Sequence, residues 1–177
     1  MGDRQPFAIR RATLADASLL SELAARLFEQ AFGDANEREN MLAYLASAFT
    51  TDAQTAELAD ANRATFIATD DAGEAIGYAM LRRDHRASGV VAEKPAELQR
   101  IYVDKRWHGR RVGDALMAIC VEHARAWMCD VLWLGVWQEN PRAIAFYERS
   151  GFTTVGEQTF MLGRDLQYDF VMARPLI

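Results

Sequence analysis

NPRAIAFYERSGF, residues 140–152, is the stretch on which the reading of this chain turns. Asn140 is a good helix N-cap and Pro141 a good first helical residue, because the first N–H groups of a helix lack internal partners and proline has none to lose. Gly151 suits the left-handed residue that ends a helix, and Phe152 begins the next strand. Offsets of zero, three and seven fall on one helical face, here Asn140, Ala143 and Tyr147. A face turned to the core would carry Leu or Ile. A polar cap, a small residue and a phenol suit a ligand lying alongside. Phe146 points elsewhere and is expected to anchor the helix to a sheet. A capped amphipathic helix with one hydrogen-bonded tyrosine would explain the same spacing without a ligand.

A second stretch, RWHGRRVGDAL (106–116), lies between a strand and a helix. Gly109 and Gly113 let backbone N–H groups face outward, and the helix N-terminus adds a positive dipole, so the segment can hold an anion. Arg106, Arg110 and Arg111 add charge suited to phosphate. The pattern is neither the dinucleotide fingerprint nor a Walker loop, which needs Gly-Lys-Ser/Thr. A basic helix start balancing acidic neighbours is the plainer explanation. The two stretches together say more: one can hold a pyrophosphate, and the other can lie along the rest of a long cofactor.

The remaining sequence sets the frame. The length, 177 residues, suits a single domain covering 1–177. Half the residues are hydrophobic and a quarter charged, as in ordinary globular proteins. Net charge is −5, which argues against nucleic acid and permits steering of a cationic substrate. Cys120 and Cys129 have no metal-ligand spacing, and His85, His108 and His123 share no pattern with them, so no metal is expected. The N-terminus has no apolar signal region, and Pro6 stands where a myristoylation signal at Gly2 would want Ser or Thr. No window approaches the roughly 20 apolar residues of a membrane span. The expected location is the cytoplasm, with no membrane and no nucleic acid as partner.

Periodicity predicts a first strand over PFAIRRA (6–12). Helices follow from Thr13, with Leu19, Leu20, Leu23, Leu27 and Phe28 inward, and over 37–49, with Met41, Leu42, Leu45 and Phe49 inward. A short third helix is predicted over 52–60. Residues 64–83 read as a hairpin through Asp71-Ala72-Gly73, 84–96 as a loop, and ELQRIYV (97–103) as a strand. A long helix follows the glycine-bearing turn, with Val112, Leu116, Ile119 and His123 or Ala126 inward. VLWLGVW (131–137) reads as a strand buried on both faces, and 153–176 supplies two final strands. The order is that of a mixed α/β domain. The final strands could pair across a homodimer.

HGRRVG followed by NPRAIAFYERSGF resembles the acetyl-CoA site of the GCN5-related N-acetyltransferases. Against the family's loop pattern, His108 stands at the first position, Arg111 replaces the middle glycine and Gly113 matches the last. Asn140, Ala143, Phe146, Tyr147, Gly151 and Phe152 match its helix element. NERENMLAYLASAF, ELQRIYV, WLGVW and the tail FMLGRDLQYDFVMARPL resemble the bacterial spermidine/spermine acetyltransferase branch, the PaiA type.

The resemblance implies a mostly antiparallel mixed sheet flanked by helices, and direct transfer of acetyl from acetyl-CoA to a primary amine, polyamines favoured. It puts the cofactor on Ile101, Tyr102, Val103, His108, Gly109, Arg110, Arg111, Val112, Gly113, Asp114, Asn140, Ala143 and Tyr147. Ile101 and Val103 would contribute backbone groups, as an edge strand does. Tyr147 matches the general acid that protonates the departing sulfur, and Glu97 the position of a catalytic base. Strand alternation puts 97, 99, 101 and 103 on one face. Glu29, Asp34, Glu37 and Glu39 are candidates for a polyamine groove or a solvated face. Trp127, Trp133 and Trp137 read as packing, and Trp107 as a shield over the phosphate loop. A protein N-terminus, an amino acid or another small amine is the alternative acceptor. A non-catalytic acetyl-CoA sensor is the alternative class, and DNA binding ranks last for want of a basic recognition helix.

Overall fold

Strand alternation and helical stripes sort the chain into one sheet with helices on both faces. The computed structural model describes residues 6–176; Gly2, with its acylation question, lies outside them. The elements run β1 (Phe7–Arg11), α1 (Ala17–Phe32), α2 (Arg38–Ala48), α3 (Thr51–Ala59), β2 (Arg63–Asp70), β3 (Ala75–Arg83), β4 (Pro95–Val103), α4 (Val112–Ala126), β5 (Val131–Trp137), α5 (Pro141–Arg149), β6 (Thr153–Leu162) and β7 (Asp165–Pro175). The sheet order is β1-β2-β3-β4-β5-β7-β6. Neighbours are antiparallel except β4 and β5.

The helices begin and face where local chemistry directs. Thr13 and Asp16 form the expected capping box, but it opens a short 3-10 turn (Leu14–Asp16) one step ahead of α1. Leu20, Leu23, Leu27 and Phe28 of α1 are buried, whereas Leu19 is exposed, because it lies beside the stripe those four define. In α2, Met41 points inward and Leu42 outward. The inward stripe of α4 runs Val112, Leu116, Cys120 and Ala124, so neither His123 nor Ala126 belongs to it. Thus α4 covers one face of the sheet, over Leu98, Leu132 and Met172, and α1 with α2 covers the other, over Ile67 and Tyr78.

Two irregularities in the sheet make the site. First, β4 and β5 pair only through Pro95–Val131, Ala96–Leu132 and Glu97–Trp133. Beyond these pairs the strands part, and β4 keeps only its β3 partner, with Ile101, Tyr102 and Val103 opposite Ala79, Tyr78 and Gly77. Parallel strands that stop pairing leave a row of free backbone groups along the gap.

Second, β4 carries a bulge at Gln99: Leu98 faces Leu81 while Arg100 faces Met80. The extra residue reverses the alternation. Ala96 and Leu98, then Ile101 and Val103, therefore pack on the α4 side. Glu97, Arg100 and Tyr102 turn to the opposite side. The common face expected for 97, 99, 101 and 103 is thus corrected. Glu97 does not share a face with Ile101 and Val103.

Candidate active site

The gap between β4 and β5 opens into two clefts that meet. The larger, about 520 Å³, runs along the end of β4, the start of α4 and one side of α5. The smaller, about 280 Å³, lies between the sheet and the α1–α2 layer. Tyr102, Asn140, Ala143 and Tyr147 line both. The helical face singled out by offsets zero, three and seven is the wall between them.

Local chemistry fixes that wall. Asn140 Oδ1 accepts the Ala143 N–H at 3.2 Å, which caps α5. Gly151, at φ 87°, takes the left-handed turn that ends it. Tyr147 rests edge-on against Phe146 and Phe152, with centroids at 5.4 and 5.9 Å. Its ring is half-buried, and its hydroxyl has no hydrogen-bond partner among the described residues. Burial pushes its phenol well above the usual tyrosine range, so the proton stays on through neutral and alkaline pH. Phe146 packs on the α4-side core as expected, and it also lines the larger cleft.

The larger cleft has the makings of an anion site at one end. His108 Nε2 lies 2.8 Å from the Val103 carbonyl, so it must carry the hydrogen, and this bond ties the loop to β4. Gly109 and Arg111 both have positive φ, 75° and 63°. Arg111, which stands where the family's loop pattern has its middle glycine, therefore occupies a left-handed conformation open to glycine at no steric cost. For a side chain this costs about 1–2 kcal/mol, a cost kept at a position where a cation faces the cleft. The helix that follows starts at Val112, and the N–H groups of its first turn point out of the helix end. A Cβ at Gly113 would meet Phe146 at 3.6 Å, an ordinary contact, so the protein alone does not demand glycine there. A methyl would instead take room from the cleft. This donor set fits a pyrophosphate.

Some expectations for this end need correcting. Arg106 does not line the cleft: it donates to Asp104 and to Glu74 Oε1 at 2.8 Å. Arg110 lies over the Trp107 ring at 5.1 Å rather than along the cleft wall. Lys105, Arg142 and Arg149 do line it and were missed, because nothing local marks a surface cation as turned toward a groove. Ile101, Val103, Val112, Gly113 and Asp114 line it as expected, with Trp107 beside the loop.

The smaller cleft is walled by aromatic rings, Phe28, Phe32, Tyr44 and Trp137 among them. Trp137 is therefore more than packing. Trp133 is the buried indole, its Nε1 donating to the His85 carbonyl at 2.9 Å. Trp127 is partly buried and packs against the α4-side core as expected, with the His123 ring 4.5 Å away. Glu97 reaches this cleft, and its Oε2 accepts from Arg82 Nε at 2.9 Å and lies 3.2 Å from His85 Nδ1. Arg100 is held by two bonds to Glu57, at 2.8 and 2.9 Å.

Asp169 of β7 is a second cleft carboxylate, and the sequence reading missed it. Of the four acidic residues proposed for a polyamine groove, none lines this cleft. Asp34 lines the larger one, and Glu29 lies 3.9 Å from Arg38 at the surface.

A splayed β4–β5 pair, an anion loop at a helix start and a tyrosine between two clefts agree with the acetyl-CoA site that the sequence resemblance implies. The chain belongs to the acetyltransferase (GNAT) family, whose model matches residues 20–152. It is an acetyl-CoA-dependent N-acetyltransferase. It is 36% identical to an N-acetyltransferase of Mycobacterium bovis, over 93% of this chain and all of that protein. The spermine/spermidine N(1)-acetyltransferase of Bacillus subtilis is 27% identical over 50% of this chain and 59% of its own length. In fold the chain is similar to the PaiA N-acetyltransferase of Thermoplasma acidophilum, solved with coenzyme A, at a TM-score of 0.76. That similarity covers 96% of this chain and 98% of the other, at 18% identity.

No helix among the described residues is long and apolar enough to cross a membrane.

Proposed function

We propose that this enzyme acetylates a primary amine, with spermidine and spermine the favoured acceptors, and that it belongs with the PaiA-type branch. The observation that carries the reading is the shared wall. The cofactor groove and an aromatic cleft holding two carboxylates meet at Tyr147, so acetyl donor and amine can approach from opposite sides. Acetyl-CoA supplies an activated acyl group. The loop that His108 ties to β4 and the start of α4 hold its phosphates, with Arg111, Arg142 and Lys105 as counter-charges. The open edge of β4 pairs with its peptide-like arm through the backbone of Ile101 and the Val103 N–H, the Val103 carbonyl being taken by His108.

Tyr147 then has one task, to deliver its proton to the departing sulfur. The acceptor side must hold a cation and take a proton from it, because a primary amine near pKa 10 is mostly protonated at pH 7. Aromatic faces and carboxylates suit that cation. The Bacillus subtilis relative, named for spermine and spermidine, supports the same acceptor class.

Release of free CoA from acetyl-CoA tests the reading, with spermidine, spermine, lysine, a short peptide and an aminoglycoside offered separately. A polyamine should give a kcat/KM at least about tenfold above the others, which corresponds to about 1.4 kcal/mol of transition-state preference. A peptide preference, or a flat profile, would sink the polyamine assignment. Tight acetyl-CoA binding with no turnover across the panel would favour the sensor reading.

A further inference from the structure

We infer that Asp169, rather than Glu97, accepts the proton of the acceptor amine, and that Gly135 and Gln158 build the pocket in which it does so. This rests on the amine-acetyltransferase reading above. Asp169 stands on β7 opposite Trp137 of β5 and Gln158 of β6. Its side chain turns into the cleft that Tyr147 walls. Among the described residues it has no ion-pair partner, and its neighbour across the β6–β7 pair is Gln158, whose amide lies with Asp169 Oδ2 beside Gly135. Glu97, in the same cleft, already has Arg82 and His85 on its Oε2.

The neighbouring backbone makes room for this arrangement. A Cβ built on Gly135 would overlap the Gln158 amide and lie 3.2 Å from Asp169 Oδ2. Any side chain at 135 would displace the pair. A glycine inside an otherwise apolar buried strand has this close approach as its physical reason. The tip of the β6–β7 hairpin is fastened to the helical layer, with Arg164 N donating to Asn40 Oδ1 at 3.0 Å, so β7 is held against the cleft.

The other charged or titratable groups on the cleft are Glu97, Arg100 and Tyr102 of β4, Tyr44 of α2 and Tyr147 of α5. Arg100 is committed to Glu57. On β6, Glu157 faces outward and accepts from Gln138. Burial therefore dominates at Asp169, pushing its carboxyl up to about 6, with the nearby Gln158 amide pulling the other way. The burial that raises a carboxyl lowers an ammonium, so the two groups approach each other in proton affinity.

The step balances. The ammonium gives one N–H proton to an Asp169 oxygen, which later releases it to solvent. The freed nitrogen lone pair forms a C–N bond to the thioester carbonyl carbon. The C–S bond breaks with its electron pair on sulfur. Tyr147 protonates that sulfur and regains a proton from the newly acylated nitrogen. The products are the amide, the thiol and one proton.

The test is the pH dependence of spermidine acetylation from pH 5.5 to 9, comparing wild type with Asp169→Asn, Asp169→Glu and Glu97→Gln. Wild-type kcat/KM should fall below about pH 6. Asp169→Asn should lower kcat about 10²-fold or more, leave the KM for acetyl-CoA unchanged, and lose the limb near pH 6. Asp169→Glu should restore part of the rate, and Glu97→Gln should keep the limb. Two results overturn the assignment: an Asp169→Asn enzyme within threefold of wild type with the limb intact, or one in which only the KM for spermidine rises. Wild type that turns over none of the amines in the panel overturns it too, by removing the reading beneath it. That failure is told apart because it appears before any variant is made.

Discussion

Tyr147→Phe lowers kcat about 10²- to 10⁴-fold, the usual worth of a positioned general acid, while the KM for acetyl-CoA stays within about twofold. The substitution removes one oxygen and little else. The ring keeps its contacts with Phe146 and Phe152. The hydroxyl has no protein hydrogen bond to lose among the described residues, so folding should be unaffected and the thermal midpoint unchanged. The effect therefore falls on the step in which sulfur needs a proton. Burial keeps the phenol protonated well past neutrality, so the wild-type rate should show no loss of this acid up to about pH 9. Steady-state kinetics with a polyamine checks both points. A phenylalanine variant with kcat within threefold of wild type would reduce Tyr147 to a packing residue.

Asp104→Ala should cost about 3 kcal/mol of stability, the low end of the range for removing one member of a buried ion pair. Asp104 follows β4 directly and is fully buried. It accepts from the backbone N and Nε of Arg106 at 3.0 and 3.1 Å and from Arg26 of α1. Arg26 in turn donates to the Ala75 carbonyl at 3.1 Å. One carboxylate, with Arg26, thus fastens the helical layer, the start of β3 and the entry to the loop at 105–111. Both guanidiniums keep some contact with water, which holds the cost below that of a fully enclosed pair.

At this chain length about 3 kcal/mol corresponds to roughly 6–12 °C in thermal midpoint, readable by calorimetry. The pH dependence has a definite sign. The Arg106 bonds, with Arg26, hold the Asp104 carboxyl well below its usual value near 4. Its contribution is therefore fully present above about pH 4 and is lost as pH falls through the folded value. The stability difference between wild type and variant should shrink in strong acid. A difference that is constant from pH 7 to pH 2 would contradict the account.

Much of this was legible in the sequence, for definite reasons. The α5 cap and its Asn140-Ala143-Tyr147 face are local patterns, fixed by helix geometry within a few residues. The loop at 108–113 is equally local, and the structure adds only that Arg111 adopts the glycine-like conformation. What escaped reading depends on register between distant strands. The bulge at Gln99 reverses the faces of β4, and no residue in ELQRIYV announces it. Asp169 meets Trp137 and Gln158 only through pairing across β5, β6 and β7. In the sequence it is one acid in an alternating strand, and Gly135 is one gap in an apolar run. The acids at 29, 34, 37 and 39 are all exposed, which agrees with the solvated-face reading and not with a polyamine groove, because clustering along a chain does not settle which cleft a helix faces.

The central claim is that acetyl passes directly from the groove along α4 to an amine in the aromatic cleft, with both bound at once. No thiol is placed to carry it: Cys120 and Cys129 are both buried, neither lines either cleft, and burial raises both thiols. The most direct measurement is initial rates with acetyl-CoA and spermidine both varied, together with the fate of a labelled acetyl group in a single turnover. The account predicts intersecting double-reciprocal lines, label on spermidine, and none on the protein when amine is withheld. Parallel lines, or a labelled protein that later passes its acetyl group to the amine, would contradict it.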